Sequence, residues 1–359
     1  MINKKRLVEQ FLELVKIDSP SGSENLVAKY LISRLKGFGA KVTTDSYGNV
    51  IGSILGQGEP FMLNAHMDTV EPGRGIKPIV KGDIIVSDGT TVLGGDPKAG
   101  VAIILEALAL VKSTKKKHRS LEIVFTRSEE VGLLGAVNLD YSKINARKGI
   151  TFDGEERVIN MDIAAPGYNR VDAIITGRSA HAGVEPEKGI SAIKIASEII
   201  SRLKLGRIDF ETTSNVGLIE GGSAINAVPE TSHIQAEVRS RNLKKLQKHT
   251  KHFQDVFDKV MAKYPEASIS LKIEREFDPY RFEKTHEVLK EIISVLKKMK
   301  IKPNLFESGG GTDVNIFHTH GIEAIVVGTG DYNAHTKREY VKISEMVEAA
   351  GFLEKFITI

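Results

Sequence analysis

Seven side chains in this sequence are of types that bind metals or move protons, and most of them stand where short apolar runs end. His66 and Asp68 follow Phe61-Met62-Leu63. Glu129 and Glu130 follow Leu121 to Phe125, Asp153 follows Gly149 to Phe152, and His335 comes a short loop after Ile322 to Val327. Asp96 stands on the segment leading into the apolar stretch Gly100 to Lys112. His, Asp and Glu without Cys suit zinc, cobalt or manganese. Two such ions roughly 3.5–4 Å apart can share a carboxylate, polarise a carbonyl and generate a hydroxide nucleophile. A site of that kind needs a bridging carboxylate, terminal ligands and one uncoordinated base, and these residues can supply each.

Each pair is weak alone. Side chains two apart on a strand share a face, so Asp68 can accept the second ring N–H of His66 and orient it. The same pair is also an ordinary Asp–His contact at a strand end. Adjacent side chains diverge, so one of Glu129 and Glu130 can bind metal while the other faces water. Without a strand leading into them they would be two solvated glutamates. The argument is the coincidence: in an open α/β sheet, ligands bind beyond the carboxyl ends of the strands.

The elements needed to hold these residues are legible as apolar runs alternating with helical patterns, which indicates an α/β sheet buried on both faces. Leu7, Phe11, Leu14 and Val15 predict a helix over Lys4 to Lys16. The segment Asp18 to Glu24 breaks it and caps the next. From Val171 to Phe277 the order changes to strand, helix, strand, strand, helix, strand. The helices run over Pro186 to Leu203 and Leu243 to Tyr264, with His249 and His252 on the polar side of the second. That βαββαβ order is ferredoxin-like and predicts an insertion, residues 169–279, in a domain made of residues 1–168 and 280–359. A helix over Glu283 to Lys300 returns to the larger domain.

Composition excludes other classes. The 359 residues exceed one typical domain of about 150, and 41% are hydrophobic and 27% charged, as in ordinary soluble proteins. There is no cysteine, so neither disulfides nor thiolate metal sites are available. That suits a reducing compartment, and a cytoplasmic protein is expected. The formal charge of +4 is spread, apart from runs at Lys115 to Arg119 and Lys244 to Lys251 that read as solvated faces. No nucleic-acid partner is expected. The apolar stretch from Val101 to Val111 contains Glu106 and is short of the ~20 residues that cross a membrane. Glu9 and Glu13 interrupt any signal-peptide core.

Taken together, His66-Met67-Asp68, Gly95-Asp96-Pro97-Lys98-Ala99-Gly100, Glu129-Glu130, Asp153 and Ala334-His335, with Asp18-Ser19-Pro20-Ser21-Gly22, resemble the M20 metallopeptidase family, in particular its tripeptide-aminopeptidase branch. The resemblance covers essentially the whole chain. It implies a mixed-sheet zinc-peptidase catalytic domain carrying a ferredoxin-like lid and dimerisation domain, with two Zn2+ per subunit (Co2+ or Mn2+ as alternatives). It implies that Asp96 bridges the ions, that His66 and Asp153 complete one site and Glu130 and His335 the other, that Glu129 is the general base and that Asp68 orients His66. Within the insertion, His181 of Ser179-Ala180-His181-Ala182-Gly183 matches the family's oxyanion-steadying histidine. Asn226 and Arg239 match substrate contacts, and Gly310 and Gly311 match a glycine-rich substrate loop.

The expected activity is hydrolysis of short peptides from the N-terminus by a homodimer assembled through the lid. Asp153 supports a requirement for a free N-terminus, since acylases and carboxypeptidases of the family tend to carry Glu there. The alternatives are an N-acyl-amino-acid amidohydrolase or carboxypeptidase of the same family, and an idle binding homologue, against which the intact Glu129 argues. Two positions depart from the pattern. Ser308 stands where the tripeptidase branch has an arginine, and Pro97 stands where relatives carry an acidic or amide residue. The family's peptide bond after the bridging aspartate is usually cis. A proline lowers the cost of that form from about 2.5–4 to about 0.5–1 kcal/mol, so the Asp96–Pro97 bond is expected to be cis.

Overall fold

The structure is a computed structural model and describes residues 2–359. Two compact units emerge. One comprises the described residues up to Ile163, with Phe282–Ser308 and Thr312–Ile359, and the other Ala164–Arg281 with Gly309–Gly311.

In chain order the first unit opens with α1 (Lys4–Val15) and α2 (Asn25–Phe38), then β1 (Lys41–Thr44), β2 (Val50–Ile54) and β3 (Gln57–His66). Next come α3 (Gly95–Thr114), β4 (Arg119–Thr126), β5 (Lys148–Gly154) and β6 (Asn160–Ala165). The second unit contributes β7 (Gly167–Thr176), α4 (Ala192–Arg202), β8 (Thr212–Gly221), β9 (Thr231–Ser240), α5 (Leu243–Met261) and β10 (Ser268–Phe277). The chain then returns through α6 (Glu287–Lys298), α7 (Asp313–Thr319), β11 (Glu323–Gly328) and α8 (Ile343–Ile357).

The first unit is a mixed α/β layer structure. Its main sheet runs β1-β2-β4-β3-β5-β11-β6. The four central strands are mutually parallel, with His66 beside Thr126, Met62 beside Gly149, and Val327 beside Phe152. Their carboxyl ends therefore open at one edge. The apolar runs become strands buried on both faces, and α3 packs beside them with almost every residue from Val101 to Val111 buried. Glu106, the one charge in that stretch, is fully buried and paired to Arg6 Nε at 2.6 Å. At Gly100 a Cβ would collide with the carbonyl oxygen of Phe152, so only glycine allows α3 this close to the strand carrying Asp153.

In the second unit the antiparallel sheet runs β8-β9-β7-β10. Its core joins Val171, Ile175, Ile234 and Val238 of the sheet to Ile195 and Ile199 of α4 and Phe253 and Phe257 of α5.

Three local readings change. The helix expected over Pro186 to Leu203 starts at Ala192, because Ile190 and Arg178 exchange backbone hydrogen bonds and Ser191 caps the helix by accepting from Lys194 N–H. His249 is buried, not on the polar face of α5, since its Nε2 lies 3.1 Å from the Lys204 carbonyl and 3.0 Å from Ser214 Oγ. The segment before α2 gives no side-chain cap. Glu24, at the cap position, turns elsewhere. Among the described residues, no helix is long and apolar enough to cross a membrane.

Candidate metal centre

β3 and β5 bring His66 and Asp153 to one edge of the first unit, the loop after β4 brings Glu129 and Glu130, and the start of α3 and a loop after β11 deliver Asp96 and His335 to the same place. Ligand-capable atoms form three overlapping groups: His66, Asp96 and Asp153; His66, Glu129 and Glu130; and Asp96, Glu130 and His335. His66 Nε2 is 3.1 Å from Asp96 Oδ1 and 3.1 Å from Asp153 Oδ1. His335 Nε2 is 3.1 Å from Asp96 Oδ2 and 3.0 Å from Glu130. Asp96 thus offers one carboxylate oxygen to each histidine. Ligands at roughly 2.0–2.2 Å from a tetrahedral ion lie about 3.3–3.6 Å from one another, close to these separations. Glu129 Oε2 is farther from His66 Nε2, at 3.9 Å.

Asp68 supports the site from beneath. It is fully buried. Its Oδ1 lies 3.2 Å from His66 Nδ1 and accepts from Glu129 N–H at 3.0 Å. Its Oδ2 accepts from Ser21 Oγ at 2.7 Å and Glu130 N–H at 3.2 Å. Burial opposes its charge, but these donors hold its carboxyl below the usual range. Against burial, the carboxylates of Asp153, Asp68 and Asp96 hold the His66 ring well above its ordinary proton affinity; with an ion bound at Nε2, Asp68 would keep the remaining ring proton on Nδ1. The Asp96–Pro97 bond is cis, and both residues have non-helical backbone angles before α3 becomes regular.

The electrostatics fit a divalent cation. Burial pushes the Asp153 carboxyl up to about 8, with Asp96 and Asp313 adding to the effect. Burial also raises Glu129 well above its ordinary value, helped by Asp153 and Glu130, and raises Glu130, helped by Asp96. Hydrogen bonds to Asp96 and Glu130 raise His335 to about 11. Acidic groups outnumber the two histidines, so the cluster retains protons. A divalent ion needs deprotonated ligands and would take their place.

A model of peptidase family M20/M25/M40 matches residues 62–359. The chain belongs to this family. It is 39% identical over 367 residues to the uncharacterized protein YqjE of Bacillus subtilis, covering 99% of both chains. Among solved structures it resembles the aminopeptidase PepT of Bacillus cereus, at 36% identity, TM-score 0.89 and coverage of 99% of this chain and 98% of that one. It also resembles a tripeptidase of Staphylococcus aureus, at 34% identity, TM-score 0.94 and the same coverage. Within M20 it is therefore a peptidase close to peptidase T.

The remaining residues that the M20 resemblance pointed to lie in the second unit. His181 is exposed, and its Nδ1 accepts from Gly183 N–H at 3.1 Å. Asn226 is exposed, and its carbonyl accepts from Ala182 N–H. Arg239 is half-buried, bound to Glu237 at 3.0 Å and stacked 4.7 Å from the centre of the Tyr168 ring. Gly310 is exposed. At Gly311 a side chain would strike the Phe277 ring.

Sequence reasoning missed several supports of this M20 centre. Buried Glu339 accepts from the N–H groups of Leu93 at 2.6 Å, Gly94 at 2.8 Å and Asp96 at 3.0 Å, placing an anion at the start of α3. Asp331 is buried next to it, with Oδ1 unpaired. Asp313, two residues after Gly311, is buried and accepts from Thr126 Oγ1 and Asn64 Nδ2. Buried Lys98 donates to the Ile17 carbonyl, and burial lowers its ammonium to about 8 against the pull of Asp18, Glu339 and Asp68.

Proposed function

We propose that this chain is a two-metal aminopeptidase that releases the N-terminal residue of short peptides, tripeptides among them. The observation that carries the reading is Asp96, whose two oxygens each stand 3.1 Å from Nε2 of a different histidine. Asp96 would bridge two zinc ions, or cobalt or manganese. His66 and Asp153 would complete one site, and Glu130 and His335 the other. When bound, such ions polarise the scissile carbonyl and lower the pKa of attacking water.

Glu129 acts as the base. Its carboxylate takes a proton from the water and passes it to the leaving amine nitrogen. Burial and its acidic neighbours raise its proton affinity, which suits a group that must keep the proton between those steps. Asp68 holds His66 in one tautomer and, through the backbone of Glu129 and Glu130, holds the loop that presents the base.

By family resemblance, His181 is assigned to the developing oxyanion, and Asn226, Arg239, Gly310 and Gly311 to the peptide. The same reading includes a homodimer through the second unit. It is supported by the open edge of β8 beyond Ser214, where Leu218 is 38% and Ile219 50% exposed. Sedimentation at micromolar concentration tests it, and a monomer of full activity excludes it. The absence of cysteine supports a cytoplasmic location.

The deciding experiment compares Ala-Ala-Ala with its N-acetyl derivative, using zinc- or manganese-loaded protein. The free peptide should lose its N-terminal residue and the blocked one should survive. Preference for the acetylated substrate would indicate an amidohydrolase, and release from the other end a carboxypeptidase. Metal binding without turnover would indicate an idle homologue.

A further inference from the structure

The composition of Asp18 to Glu24 predicts a helix cap, yet the last residue of that segment reaches the loop that carries Glu129. Four successive backbone N–H groups of that loop are each captured by a side chain from another part of the chain. Asn49 Oδ1 accepts from Arg127 N–H at 3.0 Å, and Glu24 Oε1 from Ser128 N–H at 3.0 Å. Asp68 takes the next two. Ser128 is the conformational outlier, with φ of 50°, in the left-handed region that residues with a Cβ rarely adopt.

Glu24 holds that outlier at several points. Besides the N–H, Oε1 accepts from Ser128 Oγ at 3.0 Å and from Gly22 N–H at 2.9 Å. Oε2 binds Arg127 Nε at 2.9 Å and Nη2 at 2.6 Å. The Glu24 side chain is fully buried, so its charge depends on this set of donors. One carboxylate therefore grips both residues that precede Glu129, while Asp68 grips the two that come after Ser128. The sharp left-handed step at Ser128 lies between the two grips.

We propose that Glu24 is a positioning residue for Glu129: by holding Ser128 in its left-handed conformation it aims the base at the site. This rests on the assignment of Glu129 as base. Glu24 acts on Glu129 through the two residues before it, by the Ser128 N–H and hydroxyl and the Arg127 guanidinium.

The test is a double-mutant cycle on the metal-loaded enzyme with Ala-Ala-Ala as substrate. Glu24→Ala should lower kcat about 10- to 100-fold, as displacement of a catalytic group by an ångström does, with KM little changed and bound metal retained. Glycine adopts the left-handed conformation without penalty. In a Ser128→Gly background the same change should therefore cost at least about threefold less, the mark of two coupled sites. Additive effects, an unchanged kcat, or loss of metal as the cause of inactivity would each overturn the proposal. If Glu24→Ala does not fold, Glu24→Gln with and without Ser128→Gly reads the same coupling. A parallel Glu129→Gln separates the two claims. If it keeps near-normal turnover, the base assignment fails and this proposal with it. If it is inactive while the cycle is additive, only the role of Glu24 fails.

Discussion

Oδ2 of Asp96 lies 3.1 Å from Nε2 of His335, a contact between residues 239 apart in sequence. It joins the start of α3 to a loop near the end of the chain. If Asp96 bridges two ions, Asp96→Asn removes one of its two anionic oxygens. Bound metal, measured by elemental analysis of purified protein, should fall below two ions per chain. Turnover should drop at least about 100-fold, more than outer-shell changes usually cost. A variant still holding two ions would remove Asp96 from the bridging position.

Glu129→Gln separates binding from chemistry. The amide keeps the shape but cannot accept a proton from water. Metal content should stay unchanged while kcat falls by about 10²–10⁴, the usual worth of a positioned acid–base group.

Glu339 is tested by metal affinity and stability together. Glu339→Gln keeps one acceptor but loses the charge that three backbone N–H groups share. Leaving buried donors short of a partner costs about 1–3 kcal/mol, readable as a lower urea midpoint. Metal affinity should fall about 10- to 100-fold, as for other groups that orient a ligand from outside. Unchanged affinity with lowered stability would make Glu339 a purely structural cap.

Asp162 gives a pH dependence that involves no ligand-capable group of the centre. It is 5% exposed, with Oδ1 unpaired, and burial raises its carboxyl to about 7, with Ser308 opposing. Unfolded, an aspartate titrates near 3.9. The folded state therefore holds the proton more tightly, so this residue's contribution to stability declines as pH rises from about 4 to about 7. Asp162→Asn should be close to neutral at the acid end and stabilising above that window, on the order of 1–4 kcal/mol. Urea unfolding at both ends of the range measures it. Equal effects at both ends would mean the carboxyl is ionised throughout.

The sequence was legible wherever a side chain announced both its chemistry and its element. Short apolar runs leading to His66, Glu129 and Asp153 located the strands, because a strand buried on both faces is predominantly apolar along its length. Glu24 and Glu339 left no such mark. Each works by accepting backbone N–H groups, and any non-proline residue has one. Their partners lie far off in the chain: Ser128 is 104 residues from Glu24, and Leu93 is 246 residues from Glu339. His249 was misplaced for a related reason. Helical periodicity gives it a polar flank, but its ring meets the Lys204 carbonyl and Ser214, which periodicity along α5 cannot reveal.

The position of β11 also governs how the molecule must be born. That strand is bonded on one side to β5 and on the other to β6, although both precede it by more than a hundred residues of chain. A polypeptide leaving the ribosome from its N-terminus emerges with β5 and β6 long before the strand that separates them. Throughout that interval two sheet edges wait unpaired, a state prone to wrong pairing and aggregation. Most of the second unit is made from one continuous stretch and can fold during the wait. Assembly of the centre is thus a late event in synthesis, and a chain released before His335 is translated lacks both the loop after β11 and the last ligand-capable histidine.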